Sequence, residues 1–292
     1  MNVLFSVVIA NYNYGRFIED AIVSVTGQCS SFVVCPDGVH RLLLPTGEFV
    51  ELIVCDGGST DNSVDVIRRY SNSIAWWCSE HDRGQSDAFN KGFSHATGRF
   101  LTWLNADDVF TGDAFETIRQ LARQNPNCRW LTGSSLYADL DLRVTKCFCS
   151  HAFWDFRAKH GFLSVWAPSS FFEKSLWEEV GGVDVNLHYL MDIDLWHRFF
   201  LRGARYMRTR KNIFAYRHHE DSKMSGADFR ETEKNLSNQR KAREERRLID
   251  ARYGIGNGLA YKLSRILNLS LVDVGVAVVR TMRWRGRDAR TL

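Results

Sequence analysis

Two hydrophobic periods alternate along the first half of the chain, and this alternation limits the fold more than any other feature. Residues 5–10 form a continuous apolar run of strand length, after which Ile18, Ala21, Ile22 and Val25 recur at helical spacing. Residues 51–55 read as a second strand. A helix carrying Val64, Ile67 and Tyr70 follows, with Thr60 or Asp61 as its N-cap. Residues 74–78 read as a third strand, and Ala88, Phe89, Gly92, Phe93 and Ala96 then share one helix face. Residues 100–104 make the fourth strand. Strands that are apolar on both sides must be covered on both sides. The order β-α-β-α therefore predicts an α/β fold: a Rossmann-like, mostly parallel sheet flanked by helices.

Residues 29–50 interrupt the rhythm. They contain PDG and PTG, both turn signals, around a short apolar stretch, and predict an inserted hairpin or loop. Beyond the fourth strand, Ala114, Phe115, Ile118, Leu121 and Ala122 predict a helix, and residues 129–137 a strand. Residues 151–190 are mixed and rich in aromatics. A helix is expected near 192–203, a charged helical stretch over 231–254, and a basic amphipathic one over 257–283. The expected organisation is an α/β domain over 1–225, with 29–50 inserted, and a helical C-terminal appendage over 226–292.

Apolar residues make up 45% of the 292, enough for a sizeable core. No stretch is long and apolar enough to predict a transmembrane helix, and the N-terminus lacks the basic start of a signal peptide. The seven cysteines are odd in number and contain no CxxC pair. Free thiols in a reducing cytoplasm are expected rather than a disulfide framework or a zinc site. The formal net charge of +4 is concentrated near the C-terminus, where residues 256–292 hold seven Lys or Arg against two Asp. An anionic partner surface belongs there, with nothing that indicates nucleic acid.

The strand ends are acidic. In open α/β sheets ligands bind beyond the carboxyl ends of the strands. The four strands here run into Ala10-Asn11, Asp56-Gly57-Gly58-Ser59, Ser79-Glu80-His81-Asp82 and Asn105-Ala106-Asp107-Asp108. One such turn is ordinarily a helix N-cap. Four on one edge can hold a hard cation that bridges substrate phosphates. No GxGxxG opens the first helix and no GxxxxGK[ST] is present, which argues against a dinucleotide dehydrogenase and excludes a P-loop.

Taken in order, SVVIANYN, ELIVCDGGSTDNS, EHDRGQSDAFNKGFSHATGRFLTWLNADD, FFEKSLWEEVGGVD and YLMDIDLWHR followed by YRHHEDSKM resemble family 2 glycosyltransferases of the GT-A fold, over about residues 4–225. The resemblance implies transfer of a sugar from a nucleotide-diphosphate donor to an acceptor, with inversion. It implies that Asp56 pairs with the nucleotide base, with Ala10 and Asn11 lining the same pocket and Asp82 near the nucleoside. Asp107 matches the last Asp of the DxD motif, which holds Mn²⁺ or Mg²⁺ on the diphosphate. His219 matches a histidine that closes over the donor and serves as a further metal ligand. The first Asp of DxD is Asn105 here, a weaker ligand, and the usual DDGS turn is DGGS.

Inverting transfer needs one base to take the proton from the acceptor hydroxyl. The resemblance places that role on Asp192. Asp192, Leu195, Trp196 and Phe199 lie at i, i+3, i+4 and i+7, so one helix face carries them all; spacing alone leaves a plain N-cap equally open. Asp194 falls on another face, with a structural or acceptor-side role. Trp166 is placed on the acceptor side or in the core. Lys91 either reaches a phosphate or is an ordinary surface lysine. His218 reads as an incidental neighbour of His219.

Residues 266–279, flanked by Lys262, Arg265, Arg280 and Arg283, suit a helix lying on an anionic membrane, packing back on the domain, or joining a second subunit. The whole predicts a sugar transferase in polysaccharide or surface glycan assembly. It would be cytoplasmic or peripheral on the inner face of the cell membrane, with a glycan or lipid-linked acceptor. A sugar nucleotidyltransferase shares the plan, but ANYNYGRF lacks that class's glycine-rich loop. A non-catalytic nucleotide-sugar binding protein is the third reading, kept open by Asn105.

Overall fold

The computed structural model describes residues 2–163, 165–220, 222, 233–256, 258–266 and 271–292. Strand β1 (Val3–Asn11) leads into helix α1 (Ile18–Thr26), then the hairpin β2 (Ser31–Val34) and β3 (His40–Leu43), then β4 (Phe49–Asp56). Helix α2 (Ser63–Arg69), β5 (Trp76–Ser79), α3 (Gln85–Ser94) and β6 (Phe100–Asn105) complete the alternating half. Strands β4 and β6 pair in parallel with β1 on either side, and β5 pairs in parallel with β4. The four predicted strands thus form a parallel unit in the order β5-β4-β1-β6. Ile18, Ala21, Ile22 and Val25 are buried as their spacing predicts. In α2 the buried face is Ser63, Val66 and Ile67 rather than Val64 and Tyr70.

The second half widens the sheet. After β7 (Val109–Phe110) and α4 (Ala114–Gln124) come β8 (Trp130–Ala138), β9 (Val144–Phe148), α5 (Asp155–Lys159), β10 (Ser170–Glu173), α6 (Lys174–Val180), α7 (Met191–Leu201) and β11 (Tyr206–Arg217). Among the described residues the sheet has eleven strands, running β2-β3-β4-β1-β6-β10-β8-β11-β7, with β5 beside β4 and β9 beside β8. Strand β10 lies antiparallel between β6 and β8, so a four-residue segment of the aromatic-rich stretch sits in the middle of the sheet. Its shortness hides any period.

Helices cover the sheet. One apolar cluster gathers the α1, α2 and α4 side and the other gathers α3, α6 and α7. The approach of α3 is close: a Cβ at Gly92 would lie 2.5 Å from Val8 Cγ1. The inserted hairpin pairs through β3 with the first half of β4. Arg41 fastens it, with Nε 3.0 Å from Glu51 Oε1, both groups buried. Glu51 also accepts from Ser6 Oγ and the Thr97 amide, at 2.8 Å each. All seven cysteines are free.

Among the described residues three α-helices follow β11: α8 (Glu233–Arg252), α9 (Leu259–Ile266) and α10 (Leu271–Trp284). Residues 267–270 and the whole 226–232 boundary segment lie outside the described residues. Helix α10 docks through Asp273, which is 1% exposed and lies 3.1 Å from Arg208 Nη1 and 2.8 Å from Arg210 Nε of β11. Among the described residues no helix is long and apolar enough to cross a membrane.

Candidate active site

Strand register assembles the acidic edge. Asn11 pairs with Asp56 and Asp56 with Ser79, while Ala10 pairs with Asn105. The ends of four strands therefore lie side by side. Asp56 is buried and accepts hydrogen bonds from Asn11 Nδ2 (2.6 Å), Ser79 Oγ (2.6 Å) and the Ser59 amide (2.9 Å). Burial works against its charge, but Ser59, Ser79 and Asn11 outweigh it and hold the carboxyl below the usual range. Asp82 lacks such support. Burial raises its carboxyl despite the Gly84 amide 2.8 Å away. The DGGS turn makes room for it, since a Cβ at Gly57 would lie 2.8 Å from Asp82 Oδ2.

The three polar residues after β6 do different work. Asn105 takes a hydrogen bond from Gln85 Nε2 (2.6 Å) and gives one to Asp108 Oδ2 (2.8 Å). Asp108 is fully buried and accepts from the Arg217 amide at 3.0 Å. Burial and then the neighbouring Asp107 push its carboxyl well above the ordinary range. Asp107 faces the other way, with Oδ2 3.1 Å from His219 Nε2. His219 is buried against the rings of Phe17 and Tyr14.

The edge borders one cavity of about 1120 Å³, large for a small-molecule site. Asp82, Asp107 and Asp192 all line it. Leu190 occupies the N-cap position of α7, so Asp192 stands inside the first turn and is not the cap. Its Oδ1 accepts from the Ile193 amide at 2.8 Å. Ala10, Asn11, Asn105 and Trp166 also line the cavity. Asp56 and His219 sit behind its wall.

Besides Asp56 and His219, two more predicted site residues do not line it. Lys91 is not among the lining residues; its Nζ lies 2.8 Å from Glu80. Asp194 is wholly buried, held by Arg198 Nε (2.8 Å), Arg252 Nη1 (2.7 Å) and Tyr253 Oη (2.7 Å). With both oxygens taken it joins α7 to α8, so the acceptor-side expectation gives way to the structural one. His218, read as incidental, lines the cavity instead. The site also gains residues that the sequence reading did not single out, among them Gln85, Tyr137, Lys146 and Tyr216. Tyr137 is in register with Lys146 on β9 and with Tyr216 on β11. Trp166 meets the Tyr137 ring edge-on at 5.5 Å.

Residues 6–131 match the family model described as glycosyl transferase family 2. These residues are a family 2 glycosyltransferase domain. An uncharacterized glycosyltransferase of Nostoc sp. is 37% identical over 116 residues, covering 39% of this chain and 31% of the relative. A Mycobacterium tuberculosis glycosyltransferase, also uncharacterized, is 32% identical over 53% of this chain and 57% of its own. The chain thus spans 31% to 57% of these relatives. A glycosyltransferase of Mycobacterium bovis named for PGL/p-HBAD biosynthesis is 27% identical, over 59% of this chain and 67% of the relative.

Solved structures agree on the fold. Residues 1–349 of S. aureus TarS, in complex with UDP-GlcNAc, superpose with a TM-score of 0.58 at 16% identity, covering 82% of this chain and 65% of that one. A Pyrobaculum calidifontis mannosyltransferase in complex with GDP-Man and Mn²⁺ gives 0.55 at 15% identity, covering 97% and 88%. The fold is the GT-A type, an α/β sheet flanked by helices, with a helical C-terminal region.

Proposed function

We propose that this domain transfers a sugar, with inversion, from a nucleotide-diphosphate donor to a hydroxyl of a glycan or lipid-linked acceptor. The observation that carries the reading is the single cavity on which Asp107 and Asp192 both open. Asp56 and Asn11 mark the nucleoside end, where Asp56 stays ionised. Asp192 takes the proton from the acceptor hydroxyl. That oxygen attacks the anomeric carbon from the face opposite the diphosphate. The bond from this carbon to the diphosphate oxygen breaks, and nucleoside diphosphate leaves with the electron pair.

The residues fit a divalent cation. Among the described residues no cluster of three His, Cys, Asp or Glu is present, and Asn105 is committed to Gln85 and Asp108. Asp107 and His219 offer a carboxylate and an imidazole 3.1 Å apart. Mn²⁺ and Mg²⁺ bind through one or two such groups plus substrate phosphates. When bound, the metal would neutralise charge on the leaving diphosphate, worth several kcal/mol. The mannosyltransferase with GDP-Man and Mn²⁺ supports this.

The acceptor is assigned to the wall made by Tyr137, Trp166 and Tyr216, since aromatic rings stack on the apolar faces of sugars. Lys146 stands on the same rung. The C-terminal helices are assigned to an anionic membrane face. Val274, Val278 and Met282 recur at i, i+4 and i+8 on α10 and are exposed, beside the exposed Arg283, Arg285 and Arg287. Flotation with anionic liposomes at low salt tests this, and a dimer in solution would instead assign the face to a second copy.

The reading is tested by thermal shift and hydrolysis across nucleotide-diphosphate sugars, with and without Mn²⁺ or Mg²⁺. Metal-dependent stabilisation by one donor, lost in Asp107→Ala, supports it. Pyrophosphate release from a nucleoside triphosphate would support a nucleotidyltransferase instead. Binding of a donor that is never turned over would support a binding protein.

A further inference from the structure

Helix α8 looks like a solvated appendage by composition, yet one stripe of it is buried against the cavity's acceptor-side loop. Ala242 is 8% exposed, Glu245 7% and Ile249 1%, three positions on one helix face. The Glu245 carboxylate accepts hydrogen bonds from three consecutive backbone amides, His188 (2.7 Å), Tyr189 (2.8 Å) and Leu190 (2.9 Å). Those residues line the cavity and lead directly into Asp192. Asn238 accepts from Tyr189 Oη at 2.8 Å, and Arg252 and Tyr253 hold Asp194 in the first turn of α7.

We infer that Glu245 is a positioning residue for the catalytic loop: it fixes the backbone of 188–190 and thereby the place of the Asp192 carboxylate. The inference rests on the reading of Asp192 as base. A loop preceding a helix has amides with no partner inside that helix. Here one carboxylate satisfies three of them from a helix that is distant in sequence. Apolar packing alone would leave the loop free to slide, because dispersion contacts are not directional. Three converging hydrogen bonds to one charged group fix both height and rotation. A base must come within about 2.6–3.2 Å of the oxygen whose proton it takes, and a shift of about 1 Å can cost about a hundredfold. The active site is then completed by a segment well beyond residues 6–131, which the family model matches.

The test uses the full chain, with UDP-GlcNAc and GDP-mannose plus Mn²⁺ as probes and nucleoside diphosphate release as the readout. Glu245→Ala is expected to lower kcat about 10- to 100-fold while the donor KM stays within twofold. It is expected to add no further loss in an Asp192→Asn background, because a base that is absent cannot be misplaced. Where Glu245→Ala does not fold, Glu245→Gln, which keeps the shape and one acceptor oxygen, is measured against the same thresholds. A kcat within threefold of the parent, at a temperature where the variant is folded, overturns the inference. So does an equal fractional loss with and without Asp192, which marks a role in stability alone. Failure of the base reading itself shows separately, as near-parental turnover by Asp192→Asn with Glu245 intact.

Discussion

Asp107 Oδ2 and His219 Nε2 lie 3.1 Å apart although 112 positions separate them in the chain. The contact joins the turn after β6 to the end of β11 and leaves Asp108 to hold the same two elements through the Arg217 amide. One carboxylate is therefore given to the site and its neighbour to the fold. Asp107→Ala should abolish metal-dependent stabilisation by the donor. His219→Ala should weaken Mn²⁺ binding at least about tenfold. Titration of Mn²⁺ by calorimetry in the presence of nucleoside diphosphate checks both.

Asp192→Asn should cost about 10²- to 10⁴-fold in transfer, with donor binding unchanged. Steady-state kinetics with the donor that the thermal-shift panel selects, together with a direct binding measurement, separates the two effects. Turnover within tenfold of the parent would remove Asp192 from the base role.

Asn105→Asp restores the DxD spelling, and the structure predicts that it does harm. The new carboxyl would replace an amide that donates to Asp108 Oδ2 at 2.8 Å, so two carboxyl groups would face each other in a part-buried place. The expected cost is about 1–3 kcal/mol of stability, with no gain in Mn²⁺ affinity. Urea denaturation and a metal titration on the same sample test this.

Arg41→Ala should destabilise the fold by about 3 kcal/mol or more, because Glu51 would lose the ion pair that compensates its burial. Turnover per folded molecule should be unchanged, since Arg41 lies on the inserted hairpin and does not line the cavity.

Acid should loosen the docking of α10. Burial works against the Asp273 charge, but Arg210 and Arg208 hold its carboxyl below the ordinary value. A depressed folded-state pKa contributes stability that is present above the unfolded value, about 3.9, and is lost as pH falls through the lower folded value. Asp273→Asn should therefore be less stable than the parent at pH 7, and the gap should close as the pH falls below about 4. Denaturant midpoints measured across that range decide it.

Local pattern was enough to read much of this protein. Four strands and their helices were legible because burial on one face imposes a period on neighbouring residues. The acidic strand ends were legible because parallel strands put their carboxyl ends on one edge. The spacing of Leu195, Trp196 and Phe199 marked the buried wall of α7, with Asp192 half-buried at the cavity and Asp194 buried instead. What local pattern could not report was partnership across the chain. Asp194 reads as a second candidate for the site until α8 covers it with Arg252 and Tyr253. Strand β10 is four residues that carry no period, and only pairing with β6 and β8 makes them central. Glu245 is one charge among many on a charged helix, and only packing turns it inward. Periodicity records which way a residue faces in its own element. Which distant group meets it there is decided when the elements pack.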